Sequence, residues 1–314
     1  MPIYLIIKQI SMPNILITGS KGQLGSEIQH LLHQQTPLQT STKFYFTDRD
    51  TLDITDEKAL KDFIEHHNIN VIVNCAAYTA VDKAENDEAT ADKINRKAVK
   101  KMAQISIEKG IQLIHISTDY VFDGNAHKPY LETQQTNPQG VYGKTKLEGE
   151  HEILRINPPN AIIIRTSWVY STFGSNFVKT MLKLGKDRDE LGVIFDQIGT
   201  PTYARDLAET ILHIIQHPKL PQPNTSGVQN PVETYNFSNE GVCSWYDFAK
   251  AIFELSDIAC KVNPIETYQY PTPAKRPHYS LFNKSKIKNH YNITIPYWKD
   301  SLKKCLQNMK GRSC

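Results

Sequence analysis

The sequence predicts an α/β fold, a doubly wound parallel sheet with a smaller C-terminal unit, and three observations predict it. Short β-branched apolar runs recur at residues 14–18, 43–47, 71–75, 112–117 and 161–166. They barely alternate between apolar and polar residues, as expected of strands covered by helices on both faces. The stretches between them carry the helical period, and a glycine-rich turn follows the first run.

The first strand leads into Thr18-Gly19-Ser20-Lys21-Gly22-Gln23-Leu24-Gly25, after which residues 26–32 read as a helix. Glycine at 19 permits a tight turn, glycine at 22 lets backbone approach a pyrophosphate, and glycine at 25 lets the helix pack closely. The helix N-terminus then offers N–H groups and a positive dipole end to the anion. The second strand ends at Asp48-Arg49. A carboxylate there accepts from an adenosine ribose diol, whereas a guanidinium pairs with a 2′-phosphate, so NAD and NADP both stay open. Asp53 and Ile54 follow in a loop within reach of an adenine ring.

Ala59, Leu60, Phe63 and Ile64 fall at helical spacing before the third strand, and Ala98, Met102, Ala103 and Ile105 do so before the fourth. That fourth strand ends at Ser117-Thr118-Asp119, at the carboxyl edge where open α/β sheets place their sites. One loop later, Tyr142 and Lys146 are four residues apart, which on a helix puts both on one face. An ammonium beside a phenol is expected to lower the tyrosine pKa from about 10 toward neutrality. That would make Tyr142 a usable general acid toward a carbonyl.

Beyond residue 170 the pattern loosens. Helices are expected at 176–186, 203–216 and 244–255, strand-like runs at 191–196 and 233–237, a Pro-rich surface loop at 218–231, and a last helix after Pro296. The expected division is a dinucleotide-binding domain at 12–170, to which 203–240 returns, and a smaller substrate-binding unit from 171–202 and 241–314. Residues 1–11 read as an extension ahead of Met12.

Composition narrows the function classes. The 314 residues carry 36 Lys and Arg against 33 Asp and Glu, and 39% are hydrophobic. Such a chain is neither disordered nor low in complexity. Its basic residues are dispersed, so a nucleic-acid partner is not expected. The run at 3–7 is too short for a signal core or a membrane span, so no membrane association is expected either. Five cysteines without C-x-x-C spacing signal neither a disulfide framework nor a thiolate zinc site, which fits a reducing cytoplasm. The histidines show no H-E-x-x-H, and His115 within a strand reads as a structural residue, so no catalytic metal is expected.

Taken together, T-G-x-x-G-x-x-G at 18–25, NCAAYTAVDKAE at 74–85, STDYVF at 117–122, YGKTKLEGE at 142–150, RTSWVY at 165–170, DQIGTPT at 196–202 and Arg276-Pro277 resemble the extended short-chain dehydrogenases/reductases. Within that superfamily the chain is most similar to the dTDP-4-dehydrorhamnose reductases, almost end to end. The resemblance implies a Rossmann-type fold and reduction of the C4 keto group of dTDP-6-deoxy-L-lyxo-4-hexulose by NADPH or NADH, giving dTDP-L-rhamnose. It further implies that Gly19, Gly22, Gln23, Leu24 and Gly25 line the pyrophosphate, Asp53 and Ile54 the adenine, and Ala76, Ala77 and Tyr78 the middle of the cofactor. Lys146 would hold the nicotinamide ribose and, with Tyr142 and Thr118, form the catalytic set.

Trp168 is expected near the sugar, and Asn176, Gln197, Thr202 and Arg276 around the nucleotide diphosphate and base. Arg276 alone has an independent charge argument, since its planar fork suits a diphosphate. The residues themselves leave other readings open: Trp168 as core, Asn176 as a helix cap, 196–197 as a turn, Asn95 as a surface or helix-kink residue. Some members of the family use Mg2+ at a subunit contact, for which no carboxylates can be matched here, and a homodimer is the expected assembly. Two rivals remain. A 4,6-dehydratase or 4-epimerase shares the scaffold, but dehydratases carry Asp-Glu where this chain has Asp119-Tyr120, and a tyrosine replaces that acid poorly. A regulatory reductase-like subunit would keep the glycine turn without needing Thr118, Tyr142 and Lys146, all of which are present.

Overall fold

Ile15 and Ile17 face one side of the first strand and Leu16 the other, and all three are fully buried. A strand with two apolar faces is stable only between two layers, which is the local cause of the architecture. The computed structural model describes residues 13–34, 42–218 and 232–311. The extension expected at 1–11 and most of the Pro-rich loop expected at 218–231 lie outside the described residues.

The central sheet contains β1 (Asn14–Thr18), β2 (Lys43–Thr47), β3 (Ile69–Asn74), β4 (Gln112–Thr118), β5 (Ile162–Thr166) and β6 (Glu233–Phe237). All pairings are parallel, in the order β6-β5-β4-β3-β1-β2. The order reverses direction at β1 and β3, which opens a crevice above their carboxyl ends. The long helices are α1 (Gln23–Gln34), α2 (Glu57–His66), α3 (Ala98–Lys109), α4 (Val141–Ile156), α5 (Phe177–Asp187), α6 (Ala204–Gln216), α7 (Trp245–Leu255) and α8 (Trp298–Lys310). Ile28 and Leu31 of α1, with Leu207 and Ile211 of α6, cover one face of the sheet. Leu60 and Ile64 of α2, Met102 of α3 and Ile153 of α4 cover the other. Each fully buried aliphatic side chain contributes about 1.5–3 kcal/mol, so these layers hold the sheet far more than strand propensity does.

The segments after β5 build a separate apolar cluster around Tyr170, Val178, Tyr203, Phe248, Ile252, Trp298 and Leu302. Rings stack within it, Tyr170 on Tyr203 and Phe177 on Phe248, each at 5.5 Å. Caps set where its helices begin. Asn176 accepts from Lys179 N–H at 3.1 Å to start α5, and Ser244 and Asp247 form a reciprocal capping box at α7. Ile287, Tyr291 and Ile295 pack instead into the cluster of the sheet. Among the described residues no helix is long and apolar enough to cross a membrane.

Candidate active site

At the end of β1 the chain turns at Gly19, whose φ of 67° lies in the left-handed region that a side chain resists. A Cβ there would lie 2.7 Å from Ala76 N, and one on Gly25 would lie 2.6 Å from Gly19 O. These two glycines let the turn, the first residues of α1 and the loop after β3 touch through backbone. The result is a cradle at a helix N-terminus, which suits a dinucleotide pyrophosphate.

A cleft of about 680 Å³ opens at this turn. Gly19, Gly22, Gln23 and Leu24 form its floor, and Asp48, Arg49, Asp53 and Ile54 line the end beyond β2. Ala76 and Ala77 follow after β3, and Thr118, Tyr142, Lys146 and Trp168 line the opposite end. The sequence expectations therefore converge on one cavity for these fourteen side chains or backbone positions.

Six expected site residues do not line it, each for a visible reason. Gly25 is spent on the close approach to Gly19. Tyr78 donates its hydroxyl to Asp87 at 3.3 Å, while its backbone is held by Asn95 at 2.9 and 3.2 Å. Asn176 is the cap of α5, and its amide nitrogen donates to Ser171 O at 2.8 Å and Gln23 Oε1 at 3.1 Å. Gln197 is buried and donates to Thr267 Oγ1 at 3.1 Å. Thr202 is buried against Thr166, with hydroxyls 3.4 Å apart. Arg276 donates to Asp82 Oδ2 at 2.6 Å, while its Nη1 is buried without a hydrogen-bond partner.

At the adenosine end, the Asp48 carboxylate is folded back into its own turn. It accepts from Asp50 N–H at 3.0 Å and Thr51 N–H at 3.1 Å and pairs with Lys21. The Lys21 ammonium and these donors hold it low, at about 2. Asp53 accepts from Thr55 N–H at 2.9 Å, which lowers its pKa likewise. Arg49 stands beside them on the wall, joined by Lys93, a residue that sequence reasoning missed. Lys93 opens a π-helical turn, Lys93–Lys97, that also carries the buried Asn95. On a polar helix a lysine reads as solvated, so no signal was available. Gly174 and Ser175 line the cleft as well and come from an irregular loop with no motif.

The reactive end lies between β4 and α4. Gly143 has no side chain to strike Tyr120 O, where a Cβ would sit at 2.2 Å, so the first turn of α4 presses against the end of β4. This brings the Tyr142 hydroxyl close to that of Thr118. The ring is partly exposed and meets Tyr120 edge-on, with centroids 5.4 Å apart. The protein walls desolvate the phenol and push it up to about 12, against the expectation of a lowered value. The reason is the direction of Lys146. Its Nζ donates to Ile116 O at 2.6 Å and lies 3.2 Å from His115 Nε2, beneath the tyrosine. Burial brings Lys146 down to about 8. Thr118 donates to Asp119 Oδ1 at 3.0 Å, and burial lifts that carboxyl to about 6. Trp168 adopts φ 50° and stacks on Trp245 with centroids 3.6 Å apart, a strained backbone held by ring packing. Among the described residues no group of three His, Cys, Asp or Glu side chains is placed to hold a metal ion.

A family model described as RmlD substrate binding domain matches residues 13–310. A dTDP-4-dehydrorhamnose reductase of Aggregatibacter actinomycetemcomitans is 40% identical over 299 residues, covering 93% of this chain and 98% of the relative. Among solved structures, a dTDP-4-dehydrorhamnose reductase of Clostridium acetobutylicum matches with a TM-score of 0.85 and 42% identity, covering 95% of this chain and 99% of that one. Another from Bacillus anthracis, solved in complex with NADP, matches with a TM-score of 0.84 and 35% identity at the same coverage.

Proposed function

The chain belongs to the dTDP-4-dehydrorhamnose reductase family, and from that premise we propose that it reduces the C4 keto group of dTDP-6-deoxy-L-lyxo-4-hexulose with NADPH or NADH, giving dTDP-L-rhamnose. The observation that carries this reading is the opening of Thr118, Tyr142 and Lys146 into the same cleft as the Gly19–Gly22 turn. The turn is a cradle that a Cβ would fill, and it fits a dinucleotide diphosphate. Asp53 and Ile54 would flank the adenine, Ala76 and Ala77 the middle of the cofactor, and Lys146 the nicotinamide ribose. The reduced nicotinamide, when bound, supplies the hydride.

The rest of the chemistry belongs to the chain. Tyr142 is a protonated phenol at neutral pH, and it gives that proton to the oxygen developing at C4. Thr118 sits beside it and orients the carbonyl. Lys146, as the ammonium, stabilises the phenolate left behind, with strength gained from a site of low dielectric. Trp168 forms the wall against the sugar, and the buried, unpartnered Nη1 of Arg276 supports a role toward the diphosphate. Asn176, Gln197 and Thr202 brace this wall from behind. In this reading residues 171–202 and 241–314 serve the sugar nucleotide. The four described cysteines are free, which supports residence in a reducing cytoplasm.

The test is oxidation of NADPH and of NADH by the purified chain, supplied with dTDP-4-keto-6-deoxyglucose and the 3,5-epimerase that makes the lyxo sugar. Oxidation that requires the epimerase and yields dTDP-rhamnose is expected. Tight cofactor binding with no oxidation would overturn the assignment.

A further inference from the structure

Beneath Lys146 a line of buried polar groups runs across three strands. Thr18 Oγ1 donates to Asn74 Oδ1 at 2.7 Å, and Ala76 N–H donates to the same oxygen at 3.2 Å. Two donors mark that atom as the carbonyl oxygen, which turns the amide nitrogen toward His115, 3.0 Å from Nδ1. An amide nitrogen only donates, so Nδ1 accepts, and the neutral ring carries its proton on Nε2. The ring is fully buried, and that burial holds its pKa well below 6.5.

Nε2 in turn stands 3.2 Å from Lys146 Nζ. An ammonium has three donors and no lone pair, so Nε2–H against it would set two donors face to face. A neutral amine accepts from Nε2–H and donates to Ile116 O, so no two donors are set face to face. We propose that the Thr18–Asn74–His115 line is a tautomer lock that biases Lys146 toward the neutral amine in this arrangement, and that dinucleotide binding restores the ammonium with a proton from solvent as the side chain turns from His115 to the ribose. His115 is thus a positioning residue acting through Lys146. The second half of the proposal rests on the reading of Lys146 as the ribose contact.

Of three other groups around Nζ, two are uncharged and the third is paired elsewhere. From the loop after β3, the Cys75 thiol is neutral, because burial pushes it up to about 12. On α4 itself, Tyr142 is a neutral phenol. Glu150, one turn further along, favours the ammonium, but its oxygens are occupied by Arg165 at 2.6 Å and by Ser117. The consequence is an enzyme whose phenolate-stabilising charge is assembled with the cofactor.

The lock is tested first without cofactor, by NMR of the full chain labelled at the lysine ε-carbon, with Lys146→Met assigning the resonance. Lys146 is expected to titrate at or below about 8, against about 10.4 for an ordinary lysine. Asn74→Asp keeps the acceptor for Thr18 and Ala76 and offers a second oxygen that accepts a hydrogen bond from Nδ1–H, which reverses the tautomer and lets Nε2 accept from the ammonium. Its midpoint should rise by at least one pH unit, and an unchanged midpoint would overturn the lock. His115→Phe, which removes the opposing N–H, should raise it as well.

Calorimetric titration of NADH at pH 8, in buffers of differing ionisation enthalpy, then counts protons taken up. Wild type should take up a measurable fraction of one proton, and Asn74→Asp and Lys146→Met close to none. Equal uptake in all three would overturn the coupling. Turnover with no proton uptake in wild type would sink the coupling and leave the proposed reduction standing. Failure to bind NADH or NADPH would sink the proposed reduction, and the titration without cofactor still judges the lock.

Discussion

Tyr142→Phe removes one hydroxyl and leaves the ring. The edge-on contact with Tyr120, 5.4 Å between centroids at 74°, needs only that ring, so the packing at the start of α4 is retained. What disappears is the polar contact with Thr118, worth no more to stability than an ordinary hydrogen bond, about 0.5–1.5 kcal/mol. At about 2.1 cal/mol/K of unfolding entropy per residue, that moves Tm by no more than about 3 °C. The effect on catalysis is of another order. Loss of a positioned general acid lowers the rate about 10² to 10⁴-fold, which is about 2.7–5.4 kcal/mol of barrier. The pH dependence separates the roles further. A phenol pushed up to about 12 keeps its proton throughout the neutral and mildly basic range, so activity lost between about pH 7 and 9 reports Lys146 rather than Tyr142. Single-turnover loss of reduced-nicotinamide absorbance gives the rate, and fluorescence titration gives cofactor affinity. A variant within about tenfold of the wild-type rate refutes the assignment of Tyr142 as proton donor.

Arg165→Met strands the buried Glu150 carboxylate, to which Arg165 donates at 2.6, 3.1 and 3.2 Å, and should cost about 3–5 kcal/mol, or about 5–8 °C in thermal denaturation. Arg165→Met with Glu150→Gln should recover much of that loss, and a double variant no more stable than the single would refute the charge argument. Gly143→Ala drives a Cβ to 2.2 Å from Tyr120 O and displaces the turn that carries Tyr142. The expected result is a fall in kcat of about 10², as for a misplacement of about an ångström, and unchanged kinetics would show that the close packing is unimportant. Arg49→Leu should weaken NADPH by about tenfold or more while leaving NADH nearly unaffected. Equal losses for both cofactors would remove Arg49 from 2′-phosphate recognition.

What the sequence made legible was local. The glycine turn follows from φ and close approach at Gly19 and Gly25, and strands with two apolar faces follow from runs such as NILIT. Boundaries slipped by a residue or two where pairing decides them. β3 begins at Ile69 because Ile69 pairs with Asn14 ahead of a register shift at Asn14/Ile15. The direction of Lys146 was not legible, since Tyr-x-x-x-Lys places two side chains on one face and says nothing about the acceptors waiting beneath. Nor was the pairing of Arg276 with Asp82, 194 residues apart in sequence, which takes one arm of the guanidinium out of play.

Asn176 shows why a residue can matter to a site without touching it. Its side chain caps α5 and also reaches Gln23, whose own amide donates to Val169 O at 3.3 Å. One turn along α1, the buried Glu27 accepts from Ser171 at 2.6 Å and Thr172 at 3.3 Å. The helix that presents its N-terminus to the cleft is therefore tied by buried and part-buried hydrogen bonds to the segment that follows Trp168. Buried polar links of this kind are costly to leave unpaired, so they resist a shift of one end without the other. The phosphate cradle and the wall against the sugar then behave as one body. That is what hydride transfer between two separately bound molecules requires, because an error in the position of either one is an error in the distance between them.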